Sequence, residues 1–70
     1  MKRYLIVIED QGKNFSAYAP DLPGCIATGA TMDEVKQRMR EAIAFHLEGL
    51  REDGIEAPEP TATVAELTIG

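Results

Sequence analysis

The chain has a single cysteine, Cys25, and a single histidine, His46. No intramolecular disulfide can form, so the covalent staple of small secreted folds is missing. One Cys and one His do not make a structural zinc site either. Tryptophan is absent. The aromatics Tyr4, Phe15, Tyr18 and Phe45 lack the basic neighbours of an RNA-stacking platform. Cations are scarce: 7 Lys and Arg stand against 12 Asp and Glu, a net charge of −5. A nucleic-acid surface needs clustered cations to displace counterions, so direct nucleic-acid binding is not expected. The balance suits a basic partner, and it also serves solubility. Long apolar runs are missing too. The run Tyr4 to Ile8 ends at Glu9-Asp10, far short of the roughly 18 apolar residues of a membrane span. Neither a signal peptide nor membrane insertion is expected, and the expected setting is the reduced cytoplasm.

What is present reads as one domain over residues 1–70. A chain of 70 residues buries only about 60% of its unfolded surface and gains from self-association. Lys2 to Glu9 reads as a strand, apolar on both faces and therefore in want of cover on both. Asp10 to Asn14 is turn chemistry, with Gly12 free to take positive φ. Phe15 to Ala19 is a second strand and Cys25 to Thr28 a short third. Between them lies the stiff corner Pro20-Asp21-Leu22-Pro23-Gly24-Cys25. Thr31-Met32-Asp33-Glu34 is a capping box that opens a helix, with acids at the positive end of the dipole. Met32, Val35, Met39, Ala42, Ile43, His46, Leu47 and Leu50 form its core stripe at roughly 100° per residue. Gly54 is its stop. Pro58 and Pro60 favour extended chain, and Thr61 to Ile69 reads as a last strand. Beside the first strand it would run parallel, through a right-handed crossover. The expected fold class is α+β: a small sheet of three to four strands in the order β-β-β-α-β, with one helix on one face. The other face is left for a second copy, so at least a dimer is expected.

Catalytic sets are hard to assemble. Cys25 and His46 could be drawn as nucleophile and base, but His46 falls in the apolar stripe and Cys25 reads as a small hydrophobe. Asp10, Asp21 and Glu66 could in principle gather around Mg²⁺, yet no spacing requires it. Gly24 and Gly29 do not make a phosphate-binding loop. The expectation is a non-enzymatic chain without cofactor or metal. The outer helix face is more suggestive. Glu34, Glu41, Glu48 and Glu52 fall in a band roughly 40° wide opposite the core stripe, and Phe45 lies beside it. Two readings stay open. Phe45 tucks against the sheet edge while the glutamates pair with Arg38 and Arg51, or Phe45 anchors a partner inside a rim of Glu41, Glu48 and Glu52.

The run Phe15-x-x-x-x-Pro20-Asp21-Leu22-Pro23-Gly24-Cys25, followed by Thr28-Gly29-x-Thr31-x-x-Glu34, resembles the signature of HicB-type antitoxins and their stand-alone relatives. The likeness continues through the helix and the IEAPEP segment, where the family carries Ile-Pro-x-Pro. It implies a small α+β fold related to a truncated ribonuclease-H core, homo-oligomeric assembly, and no enzymatic activity. It implies a partner, HicA, a small basic RNA-cleaving toxin that the antitoxin blocks. It also implies that Pro20, Asp21, Leu22, Pro23, Gly24, Cys25, Gly29, Thr31 and Glu34 are mostly architectural. Many members carry a C-terminal DNA-binding segment; the sequence stops at Gly70, so none is expected here. The alternative reading is an orphan oligomeric structural or regulatory domain with no toxin. Residual nuclease activity, suggested only by the ribonuclease-H relationship, is not expected.

Overall fold

A computed structural model describes residues 2–70. It places β1 (Val7–Asp10), β2 (Phe15–Tyr18) and β3 (Ile26–Gly29) in an antiparallel sheet of order β1-β2-β3, followed by the helix α1 (Met32–Glu52). The β1–β2 hairpin closes through Gln11 N–H donating to Asn14 O at 2.8 Å. Asp10 Oδ1 accepts from Gly12 N–H at 2.8 Å, the self-bonded turn that short carboxylates favour.

The register decides the faces. Ile8, Ala17 and Ala27 sit in one row across the strands, and all three belong to the core under the helix. The next row, Val7, Tyr18 and Ile26, points to the opposite side, as strand alternation requires. Leu22, Val35 and Met39 are the largest fully buried side chains. The small residues of the inner face let the helix lie close. At Gly29 the approach is closest: a Cβ there would sit 2.7 Å from the Val35 backbone nitrogen.

The helix begins and ends as its sequence dictates. Thr31 Oγ1 accepts from Glu34 N–H at 3.1 Å, and Glu34 Oε1 accepts from Ala30 N–H at 2.7 Å. The box therefore closes one residue upstream of the cap. At the far end Gly54 takes φ 71°, Gly54 N–H donates to Arg51 O, and Ile55 N–H donates to Leu50 O. This pair of bonds is the Schellman stop that a glycine at this place allows. The core stripe is narrower than its eight expected positions. Val35 and Met39 are buried and Ala42, Ile43 and Leu47 pack against the core, but His46 and Leu50 are half-covered and Met32 is exposed.

Two expectations about strands need correction. The first strand does not begin at Lys2. Val7 pairs with Tyr18, so Ile6 and Leu5 would need Ala19 and Pro20 opposite them. Ala19 N–H bonds on the β3 side, to Cys25 O at 3.2 Å, in continuation of the β2–β3 register, so the next bond toward β1 falls to Pro20, which has no N–H to offer. The last strand does not form within the chain either. Thr61 to Ile69 takes no strand pairing, because its start is tied to the corner between β2 and β3 rather than laid beside β1. The described order is β-β-β-α.

Gly29→Ala should destabilise the fold by about 1–3 kcal/mol, the usual cost of overpacking a well-filled contact. Urea unfolding followed by circular dichroism measures it. An unchanged midpoint would show that helix and sheet do not approach as closely as described.

Candidate partner-binding surface

The corner is built from two turns in series. Leu22 N–H donates to Ala19 O and Cys25 N–H donates to Leu22 O, both at 3.1 Å. Each turn has a proline in its second position, Pro20 and Pro23, where a fixed φ is an advantage. In the second turn Gly24 follows with φ 83°, which the third position of a type II turn requires. Between the turns Leu22 is driven fully into the core. Cys25 is buried, and burial pushes its thiol above the ordinary value. A thiol held in that form is a packing group, not a nucleophile.

Asp21 faces outward from this corner, but its partners are distant in sequence. Its carboxylate accepts from Thr61 N–H at 3.0 Å, Ala62 N–H at 3.1 Å and Thr61 Oγ1 at 2.8 Å. The Ala62 backbone bond first, then the Thr61 hydroxyl, holds the carboxyl below its usual range. The expected bonds to nearby amides are replaced by a clasp across 40 residues of chain. The connector is held on the way: Lys2 Nζ donates to Ala57 O at 3.0 Å and pairs with Glu59 at 2.9 Å, and Tyr4 Oη donates to Pro58 O at 2.6 Å.

On the helix, Phe45 is 82% exposed. It does not tuck against the sheet edge. Around it the neighbours are small: Ala42 lies one turn before and Gly49 one turn after. A shallow groove results on the β3 side of the helix, with Ile26, His46 and Leu50 also in its walls. The acidic residues beside it are exposed. Glu48 pairs with Arg51 at 2.7 Å and Glu41 accepts from Gln37 at 3.2 Å. Arg38 reaches Glu34 at 3.7 Å and also donates to Thr28 O on β3 at 3.2 Å. These solvated pairs contribute little to stability, at most about 1 kcal/mol each. Their charge remains available to a partner.

Cys25 and His46 do line the same groove, but the buried thiol argues against a nucleophile–base pair. Asp10 and Asp21 are not brought together: Asp10 lies at the hairpin end of the sheet and Asp21 at the opposite end, and each is engaged as described. Among the described residues, no group of three His, Cys, Asp or Glu is placed to hold a metal ion. No helix among them is long and apolar enough to cross a membrane. The groove itself escaped the sequence reading. Its signal was Gly49, a residue that costs helix stability and so asks for a reason.

The family model of the HicB-like antitoxin of bacterial toxin–antitoxin systems matches residues 4–68. A 14.9 kDa protein of the rep-hol intergenic region of Haemophilus phage HP1 is 41% identical over 56 residues, covering 80% of this chain and 42% of the phage protein. The chain thus spans less than half of that relative. A UPF0150 protein of Thermoplasma acidophilum is 30% identical over 69 residues, covering 99% of this chain and 97% of the archaeal one. Among solved structures, a chain of a HicA3 and HicB3 toxin-antitoxin complex superposes with a TM-score of 0.70 at 33% identity, over 86% of this chain and 70% of that one.

Two outcomes follow from this geometry. A Cβ at Gly49 would meet nothing within 4 Å, so Gly49→Ala should stabilise the fold by about 0.5–1 kcal/mol, the ordinary gain in a helix interior. Thermal or urea unfolding checks it, and a loss of stability would mean that the groove is already filled. The Asp21 carboxyl is more acidic folded than its ordinary 3.8. Its clasp therefore contributes fully above pH 3.8 and is lost as the pH falls through the lower folded value. In an NMR titration the Thr61 and Ala62 amides should follow the Asp21 carboxyl. A carboxyl titrating at 3.8 or above, or amides that ignore it, would contradict the clasp.

Proposed function

The chain belongs to the HicB-like antitoxin family, and from that premise we propose that it neutralises a small, basic, RNA-cleaving HicA-type toxin by covering it. The reading needs no catalytic group in this chain, since blocking an active site is a matter of occupancy. The observation that carries it is Phe45. A bare aromatic ring in the middle of a long helix is costly to leave in water and is a common anchor of protein contacts. Its groove offers a partner side chain a seat, and Glu41, Glu48 and Glu52 flank Phe45 on its other side as an acidic row. Such a row steers a basic partner and quickens encounter more than it tightens the final complex. We place the protein in the cytoplasm as a self-associating chain, where its toxin would act. In the rival reading, an oligomeric scaffold without a toxin, Phe45 would anchor a second copy of the chain instead.

Phe45→Ala should weaken toxin binding by about 2 kcal/mol or more, roughly thirtyfold in Kd, while leaving the unfolding midpoint near that of the parent. Glu41→Gln with Glu48→Gln should slow association and flatten its dependence on salt, with little change in the dissociation rate. Calorimetry and surface-resonance kinetics with the HicA-like product of a neighbouring gene measure both. A Phe45→Ala chain that binds as well as the parent would remove this surface from the reading. Failure of the parent itself to bind would remove the toxin.

A further inference from the structure

The stretch beyond the Asp21 clasp is the least covered part of the molecule. Val64, Leu67 and Ile69 are 72%, 85% and 87% exposed. The Cα radius of gyration is 13.6 Å, against about 11 Å for a compact chain of this length. Residues 63–69 thus form an arm. They contain neither Pro nor Gly, so nothing in them forbids a strand. In extended chain Ala65, Leu67 and Ile69 share one face, and Glu66 on the other is the only charge of the arm.

A matching seat exists at the other side of the sheet. The order β1-β2-β3 leaves the outer edge of β1 without a strand, and an open edge is a template for pairing. Between that edge and the helix runs an apolar groove lined by Tyr4, Ile6, Ile8 and Ile43, with Lys36 and Arg40 at its rim. Apolar floor and basic rim suit an apolar arm bearing a glutamate. The edge of β3 is a poorer seat, because Arg38 from the helix already takes Thr28 O there. The arm does not reach its own groove. The connector is tied to Lys2 and Tyr4, ahead of β1 at one end of that groove, and Asp21 then pins Thr61 and Ala62 at the β2–β3 corner. The body of β1 lies between that clasp and its own free edge.

We propose that residues 63–69 of one protomer add as a strand to the free β1 edge of a second copy, reciprocally, so that the chain is an arm-exchanged dimer. A reciprocal exchange closes on itself with two-fold symmetry and leaves neither β1 edge open. The Phe45 groove lies on the β3 side of the helix and the arm seat on the β1 side. Dimerisation and toxin capture thus use separate surfaces, and this inference does not rest on the toxin reading.

The test is the self-association of the full chain, measured by sedimentation over micromolar concentrations, without any toxin. Leu67→Asp alters a side chain that is bare in the protomer and should weaken the dimer at least tenfold, the cost of burying a charge where a leucine belongs. Ile43→Asp should do the same from the groove side, with folding checked by circular dichroism. An equimolar mixture of the two should associate more tightly than either alone, because the Leu67→Asp chain still offers an intact groove to the intact arm of the other. A parent chain that stays monomeric at 100 times the usual micromolar range, on the order of 0.1 mM where even weak pairs form, would overturn the proposal. So would a Leu67→Asp chain that dimerises like the parent, which would point to the open sheet face instead. A Leu67→Asp chain whose unfolding midpoint falls equally at every concentration would place the arm in its own groove. If Ile43→Asp fails to fold, Leu67→Asp alone still decides.

Discussion

Two proline-led turns in series, Ala19 to Leu22 and Leu22 to Cys25, are the constraint on which the rest of this structure depends. They are short because each uses a residue already shaped for it: Pro20, then Pro23 with Gly24 at φ 83°. Their product is the burial of Leu22, worth about 1.5–3 kcal/mol, in a domain too small to waste any core. Their other consequences are geometric. They put Pro20, which has no N–H, at the next position that could bond to β1, and so end the first strand's pairing at Val7. They start β3 in the register that puts Ala27 and Gly29 under the helix. They hold Asp21 outward, where its carboxylate captures Thr61 and Ala62 and sets the direction in which the chain leaves the body.

Helix and corner were legible in the sequence because their causes are local. Thr31 with Glu34 announces the start and Gly54 after Glu52 the stop, each signal contained within a few residues, and the bonds form nearly as written. Gly29 was singled out in the motif for good reason: the reason is the Val35 backbone. The hairpin was legible for the same cause, with Asp10 and Gly12 making the turn between two β-rich runs. What was not legible depends on residues far apart in the chain. No pattern links Asp21 to Thr61, so the last segment was read as a strand beside β1 when the clasp carries it elsewhere. β1 is shorter than its composition suggests, because Tyr4 to Ile6 look like a strand while the positions opposite Ile6 and Leu5 are Ala19 and Pro20. For Phe45 the helical wheel leaves two readings, and the exposure of its ring beside the small neighbours Ala42 and Gly49 chooses between them.

The helix divides its surroundings by charge. Lys36 and Arg40 border the apolar groove beside β1, while Glu41, Glu48 and Glu52 are exposed on the outer helix face, on the side of Phe45 away from its groove. A chain with net charge −5 thus carries basic side chains beside the β1 groove and an acidic row on the outer helix face. Neither surface requires chemistry. Cys25 is buried, Asp10 is engaged in the hairpin turn and Asp21 in the clasp, and Glu66 lies apart on the exposed last segment. The whole arrangement is suited to occupying a partner's surface and holding it.

That occupation is tested most directly by RNA cleavage. A HicA-type toxin is incubated with labelled RNA and titrated with the full chain. The account predicts that cleavage falls in proportion to added protein and vanishes at a fixed stoichiometry, with the chain alone cleaving nothing. A toxin that stays fully active in an excess of correctly folded protein would contradict it.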